Sequence, residues 1–188
     1  WKPKQLNTFE TEWGFSCMGY EISGALGIKM AKPDQDVVVF VGDGSYLLSN
    51  SDIYSSILYD KKLIIIVCDN GGHMVINRLQ LAKGGKEYIC NLRAARATNL
   101  QFVDFEKHAS SMGANAETVS STSELEVAFK RAKDSDKTYV IVIKTHGYEW
   151  LEGTAFWESP TLQDPITQDN KKALEDFKGG KNKQRKGV

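Results

Sequence analysis

Three short runs constrain this chain most: residues 37–41 (VVVFV), 63–68 (LIIIVC) and 139–143 (YVIVI) are β-branched and apolar without alternation. A strand with one wet face alternates apolar with polar residues, so these runs predict strands buried on both faces of a parallel sheet. Parallel neighbours cannot be joined by a tight turn, and the chain between them must cross over, usually as a helix. Segments of helical period lie where that requirement puts them, at residues 17–31, 52–58, 103–112 and 123–133, the last opening on a capping-box pattern at Ser123 to Glu126. The expected fold class is α/β, a three-layer α/β/α arrangement around a mostly parallel central sheet.

Two stretches break that rhythm. Residues 71–100 are polar and glycine-rich without a firm period, which predicts a long functional or mobile loop. Residues 145–158 (THGYEWLEGTAFWE) mix aromatics with carboxylates, as in a segment that wraps a surface or reaches another chain. The expected organisation is a ligand-binding domain over residues 1–145 and a carboxyl-terminal extension over residues 146–188.

The length of 188 residues suits one full core. Lys plus Arg and Asp plus Glu both number 24, a balance that argues against a chain working mainly on nucleic acid or on an acidic membrane. Seven cationic against two anionic side chains between Lys171 and Lys186 give that tail a net charge of +5 and leave the rest at −5. A solvated or frayed terminal helix is the expected reading of the tail, ahead of an anion hook. Cys17, Cys68 and Cys90 have neither disulfide-framework nor zinc spacing, and no apolar run reaches the roughly 18 residues of a membrane span, so a reducing cytoplasm is the expected compartment. The opening at Trp1 predicts a piece of a longer polypeptide.

The chemistry concentrates at two strand ends. Ligands of open parallel sheets collect at the carboxyl ends of the strands. The first run passes into Gly42, Asp43, Gly44 and Ser45, an acid on a glycine turn with backbone N–H groups and a hydroxyl suited to phosphate. The second passes into Asp69, Asn70, Gly71 and Gly72. The Asp43 carboxylate, the Asn70 amide oxygen and the Gly72 carbonyl, completed by phosphate oxygens and water, make a hard six-oxygen shell for magnesium. Alone, a Gly-Asp-Gly at a strand end is an ordinary turn. The 27-residue separation of Asp43 from Asn70 is one strand-helix-strand unit, which brings both to one sheet edge. His73 follows, either as a proton shuttle and substrate contact or as a helix-entry residue. His108 and His146 read as structural or surface groups.

These residues resemble the diphosphate and magnesium motif of the thiamine-diphosphate enzymes, written GDG followed by NN, with Asp69 in place of the first Asn. Ser16, Cys17, Met18 and Gly19 are similar to the element that holds that family's bent cofactor. The resemblance implies that Met18 props the two rings apart, that the Ser16 carbonyl accepts the 4′-amino group, and that Gly42, Gly44, Ser45, Gly72 and His73 line the cofactor. It also implies thiamine diphosphate and Mg2+ as cofactors, the thiamine-diphosphate-binding fold, and an activating glutamate from a separate domain of a partner subunit in a homo-oligomer.

Within the family, residues 12–22, 41–47 and 103–105 and the run Gly147, Tyr148, Glu149, Trp150 resemble the carboxyl-terminal third of the trihydroxycyclohexanedione hydrolases of myo-inositol catabolism. Departures fall in residues 72–100 and at Phe156, Trp157 and Glu158. The implied activity is hydrolysis of a C–C bond in a cyclic 1,2-diketone, with this chain alone inactive. An acetohydroxyacid-synthase-like carboligase or decarboxylase shares every cofactor residue named, and a non-catalytic interaction domain is the alternative from another class.

Overall fold

The computed structural model describes residues 3, 5, 6, 8–12, 14–149 and 165–183. Their contacts divide into two compact units, Trp1–Asn70 with Gln101–Thr145, and Gly71–Leu100 with His146–Val188.

The first unit is built on one parallel sheet in the order β1-β2-β4-β3: β1 (Val38–Gly42), β2 (Ile64–Asp69), β3 (Asn115–Val119) and β4 (Tyr139–Lys144). Three of these strands are the apolar runs of the sequence. In β2 and β4, Ile64 to Val67 and Val140 to Val142 are buried on both faces, because each strand has a strand on either side and helices above and below. β1 differs from expectation, since Phe40 is 57% exposed. It is an edge strand, and its second face borders an apolar groove lined by Val38, Phe40, Ile66, Leu125 and Phe129. β3 (NAETV) has no apolar run to reveal it, because the opposite edge strand buries little beyond Val119.

Helices α1 (Tyr20–Ala31), α3 (Ser51–Leu58) and α5 (Phe105–Ser111) cover one sheet face, and Ile22, Leu26, Ile53 and Phe105 pack there against Val39, Val41, Ile65, Val67, Val140 and Val142. Helix α6 (Thr122–Asp134) covers the other, setting Ala128 and Ala132 on Ile64, Val119 and Ile141. The result is the three-layer α/β/α fold. Helix α2 (Asp43–Leu48) follows β1 without a loop. The capping box of α6 sits at Ser121 instead of Ser123: Ser121 Oγ accepts from Glu124 N at 3.2 Å, and Glu124 Oε2 accepts from Ser120 N at 2.7 Å. Ser121 stands three residues before Glu124 with extended backbone, as that motif requires.

The second unit contains α4 (Met74–Ala82), a 3-10 turn at Leu92–Ala94 and α7 (Gln168–Lys183). The reading of residues 71–100 as a loop is corrected by α4. Its buried face carries Met74 and the polar Asn77, which erases the apolar period that marks a helix in sequence. Helix α7 takes up most of the basic tail. Ala173 and Leu174 are buried, Asn170 Nδ2 donates to Gly84 O at 2.8 Å, and the Lys83 ammonium lies 5.3 Å from the centre of the Phe177 ring. Among the described residues no helix is long and apolar enough to cross a membrane. The aromatic segment with Trp150, Phe156 and Trp157 lies outside the described residues.

One buried polar chain ties the amino-terminal ends of the strands together. Leu63 N donates to Thr138 Oγ1 at 3.1 Å, Thr138 Oγ1 and Ser56 Oγ are 2.7 Å apart, and Ser56 Oγ donates to Ile53 O at 2.6 Å. Thr138 and Ser56 are 0% and 1% exposed, so no water replaces a lost partner. Thr138→Val keeps the shape and orphans the Leu63 N–H. It should cost about 1–3 kcal/mol, read as a lower urea midpoint at unchanged slope, with no loss in the control Ser55→Ala.

Candidate functional site

The carboxyl edge of the sheet is set by pairing register. Gly42 is opposite Cys68, so Asp43 and the pair Asp69 and Asn70 emerge from adjacent strands at the same edge. Asp43 begins α2 and is only 2% exposed, with Oδ1 accepting from Gly44 N at 3.0 Å. Its charge is felt next door: burial first, and then the Asp43 carboxylate, push the Cys68 thiol above its usual range. Gly44 and Ser45 are buried on the first turn of α2, and a Cβ on Gly42 would meet nothing within 4 Å.

Asn70 is half-buried at the end of β2. The residue before it, where the family pattern has a second Asn, is occupied in another way. The Asp69 carboxylate is paired with the Lys144 ammonium across the β2–β4 register, and its carbonyl accepts from Thr145 N at 2.9 Å. Asp69 is thereby committed to the sheet, and Asn70 follows it at the same edge.

The segment ahead of α1 is shaped by residues that sequence reading missed. The Glu12 carboxylate accepts from Phe15 N at 2.9 Å and Cys17 N at 2.7 Å, folding the chain around Ser16. Ser16 is exposed with φ at 53°, a left-handed conformation that non-glycine residues adopt only where neighbours enforce it. Gly19 follows with φ at 98°, where a Cβ would stand 2.7 Å from Ser49 Cβ, and its N–H donates to Glu21 Oε2 at 2.8 Å. The close approach explains why α1 starts at Tyr20 rather than Cys17. Met18, between these two constraints, is 39% exposed. A carboxylate three and five residues before bare N–H groups was the only available sign of the Glu12 turn.

In the second unit, Gly72 has φ at 133°, and a Cβ there would lie 2.4 Å from Cys90 O. That approach lets His73 N donate to Cys90 O at 2.8 Å and Leu92 N donate to Gly71 O at 3.0 Å, while Gly72 bridges Asn91. His73 is the residue from which α4 starts: its carbonyl accepts from Asn77 N at 2.9 Å, and no side-chain cap is made. The helix-entry reading of His73 therefore describes its backbone. His108 is structural, its Nδ1 lying 2.9 Å from the hydroxyl of the fully buried Tyr46, whose ionisation burial pushes up. His146 is a surface group near Glu149.

The polar groups at the carboxyl edge of the sheet are hard oxygen donors. Among the described residues no three His, Cys, Asp or Glu side chains gather as a metal cluster. Asp43 is a buried carboxylate and Asn70 carries an amide oxygen, hard anionic and neutral donors of the class that magnesium takes. Gly72→Ala should destabilise the second unit by more than about 1 kcal/mol, because both the φ and the Cys90 contact forbid a side chain. Faster amide exchange at His73 and Leu92, with exchange in β2 unchanged, is the expected signature.

Comparison with known proteins adds an independent line. The profile of the family described as thiamine pyrophosphate enzyme, C-terminal TPP binding domain, matches residues 1–143. Curated relatives named 3D-(3,5/4)-trihydroxycyclohexane-1,2-dione hydrolase include those of Halalkalibacterium halodurans, 41% identical over 79% of this chain and 24% of that protein, and of Bacillus subtilis, 39% identical over 82% and 25%. The relative of Lacticaseibacillus casei is 35% identical over 96% of this chain and 28% of its own length. The chain thus spans about a quarter of the curated relatives it matches. Among solved structures, a thiamine diphosphate-dependent 4-hydroxybenzoylformate decarboxylase of Rhodococcus jostii superposes with a TM-score of 0.57 at 24% identity, over 69% of this chain and 23% of that one, a likeness of fold.

Proposed function

The chain belongs to the thiamine pyrophosphate enzyme family as its C-terminal TPP-binding domain, and from that premise we propose that it serves a hydrolase opening a C–C bond in a cyclic, hydroxylated 1,2-diketone. One observation carries the substrate class: a relative bearing the trihydroxycyclohexanedione hydrolase name matches at 35% identity over 96% of the chain. The cofactor of the family is thiamine diphosphate, and magnesium accompanies it. When bound, that cofactor supplies the electron sink that makes carbanion chemistry beside a carbonyl accessible at neutral pH.

The chain's own residues hold and orient. Asp43, Asn70 and the Gly72 carbonyl are the proposed metal ligands, and Gly42, Gly44 and Ser45 are proposed to line the diphosphate, with the Ser45 N–H and hydroxyl as its donors, since the Gly44 N–H already donates to Asp43 Oδ1. The Ser16 carbonyl and Met18 are assigned to the pyrimidine and to the bend between the rings. The strained backbone at Ser16 supports this, since a left-handed non-glycine residue held by a carboxylate is a feature of ligand clamps. His73 is the proposed proton carrier or substrate contact, its backbone held by the bond from its N–H to Cys90 O and by the bond its carbonyl accepts from Asn77 N. The remaining three quarters of the relatives' length would supply the activating glutamate and the rest of the substrate site, within a cytoplasmic homo-oligomer. This chain alone would then bind cofactor weakly and not turn over.

Asp43→Ala, in the enzyme that carries this chain, tests the site by calorimetry with thiamine diphosphate and magnesium. Loss of even an outer partner of a metal costs about 10- to 100-fold in affinity, so losing a direct ligand should cost at least about a hundredfold. Unchanged magnesium-dependent affinity in a folded variant overturns the assignment. For the reaction, cofactor-dependent opening of trihydroxycyclohexanedione is expected, and joining of two 2-oxo acids without ring opening would favour the carboligase.

A further inference from the structure

The second unit contains a polar cluster outside the residues assigned above to the cofactor. Asn77, on α4, is 1% exposed, and its Nδ2 donates to Glu87 Oε1 at 2.9 Å. The same carboxylate oxygen accepts from the Tyr148 hydroxyl at 2.7 Å and from Asn91 Nδ2 at 3.3 Å, and Asn91 Nδ2 also donates to the Tyr148 hydroxyl oxygen at 2.6 Å. These donors hold the Glu87 carboxyl below its usual range, so it is a carboxylate at neutral pH. Glu87 is nonetheless exposed, and its second oxygen has no partner among the described residues.

Asn77 shows what this arrangement sacrifices. Its Oδ1 is buried with no hydrogen-bond partner among the described residues. Reversing the amide would satisfy nothing, since it would press an oxygen against the carboxylate. A cluster selected for stability alone would satisfy both ends of a buried amide, and the exceptions concentrate where a group is held for function. Here a buried acceptor goes without a donor so that an exposed carboxylate keeps one orientation. Asn91, which shares in holding Glu87, also pairs with Gly72 in a short antiparallel bridge, so its backbone is held beside the segment that leads into α4.

We propose that Glu87, oriented by Asn77, Asn91 and Tyr148, is a polyol-binding residue that accepts ring hydroxyls of the substrate through its outward carboxylate oxygen. The chemistry selects the ligand class. The donors of the cluster are already engaged, and what it offers is an anionic acceptor with two lone pairs, which complements neighbouring hydroxyls. This inference rests on the hydrolase reading for the identity of the substrate and deepens it. A site built to bond hydroxyls rejects an analogue that lacks them far more strongly than an apolar pocket rejects an added group. Glu87 would thereby make the enzyme prefer a hydroxylated ring over a bare one.

The test uses the enzyme that carries this chain, with thiamine diphosphate and magnesium. Glu87→Gln should weaken binding of myo-inositol, a hydroxylated six-membered ring, by about tenfold or more, while leaving thiamine diphosphate affinity unchanged. In kinetics the ratio of kcat/KM for trihydroxycyclohexanedione over cyclohexane-1,2-dione should fall by a similar factor, through the hydroxylated substrate alone. Asn77→Leu, which removes the orphaned acceptor along with the donor, should lower inositol affinity without lowering the melting temperature. Equal losses on both diketones, or inositol binding that is absent or indifferent to Glu87, overturn the proposal. Glu87-dependent inositol binding by an enzyme that opens neither diketone upholds the polyol site and removes the hydrolase reading.

Discussion

The parallel pairing of β1 with β2, which places Gly42 opposite Cys68, is the constraint on which the site depends. It brings a buried acid, Asp43, and the polar end of β2 to one edge without a contact between their side chains having to arrange it. A carboxylate as buried as Asp43 is costly away from water and persists only where partners or an ion answer its charge. Burial first, and then that charge, hold the neighbouring Cys68 thiol above its usual range. The neighbouring strand removes a competitor, since Lys144 of β4 neutralises Asp69. One acid of the pair is thus used by the sheet, and Asp43 is the one assigned to the metal under the proposed function.

Backbone geometry then fixes what side chains alone could not. Gly19 and Gly72 both have left-handed φ values and both meet a neighbour where a Cβ would go, Ser49 in the first case and Cys90 in the second. Each permits one close approach, and each approach shapes a segment within its own unit, residues 16–18 in the first and residues 71–73 in the second. The second unit repeats the principle with polar groups, where one Glu87 oxygen collects Asn77, Asn91 and Tyr148.

Much of the fold was legible from one-dimensional signals. The apolar runs become β1, β2 and β4, and the helical periods become α1, α3, α5 and α6, with ends displaced by a few residues where caps decide. The misses share a cause. β3 is an edge strand with little to bury, α4 hides its period by burying Asn77, and Phe40 is exposed because its strand lacks an outer neighbour. In each case burial is a property of position in the assembly of elements, and the residue type does not record it. Glu12 and Glu87 escaped notice for a related reason, since a lone glutamate among polar residues reads as a solvated charge until its donors are seen.

The sequence by itself determined the class of sheet, the spacing that carries Asp43 and Asn70 to one edge, and the family, because β-branched runs, helical periods and motif spacing are local properties of the chain. Only the tertiary structure decided which acids are spent on the scaffold and which remain for chemistry. That depends on partners distant in sequence: Lys144 lies 75 residues from Asp69, and Tyr148 lies 61 from Glu87. Packing brings such pairs together within a few ångströms, where hydrogen bonds and charge are strong enough to fix a side chain, and no local pattern encodes the meeting.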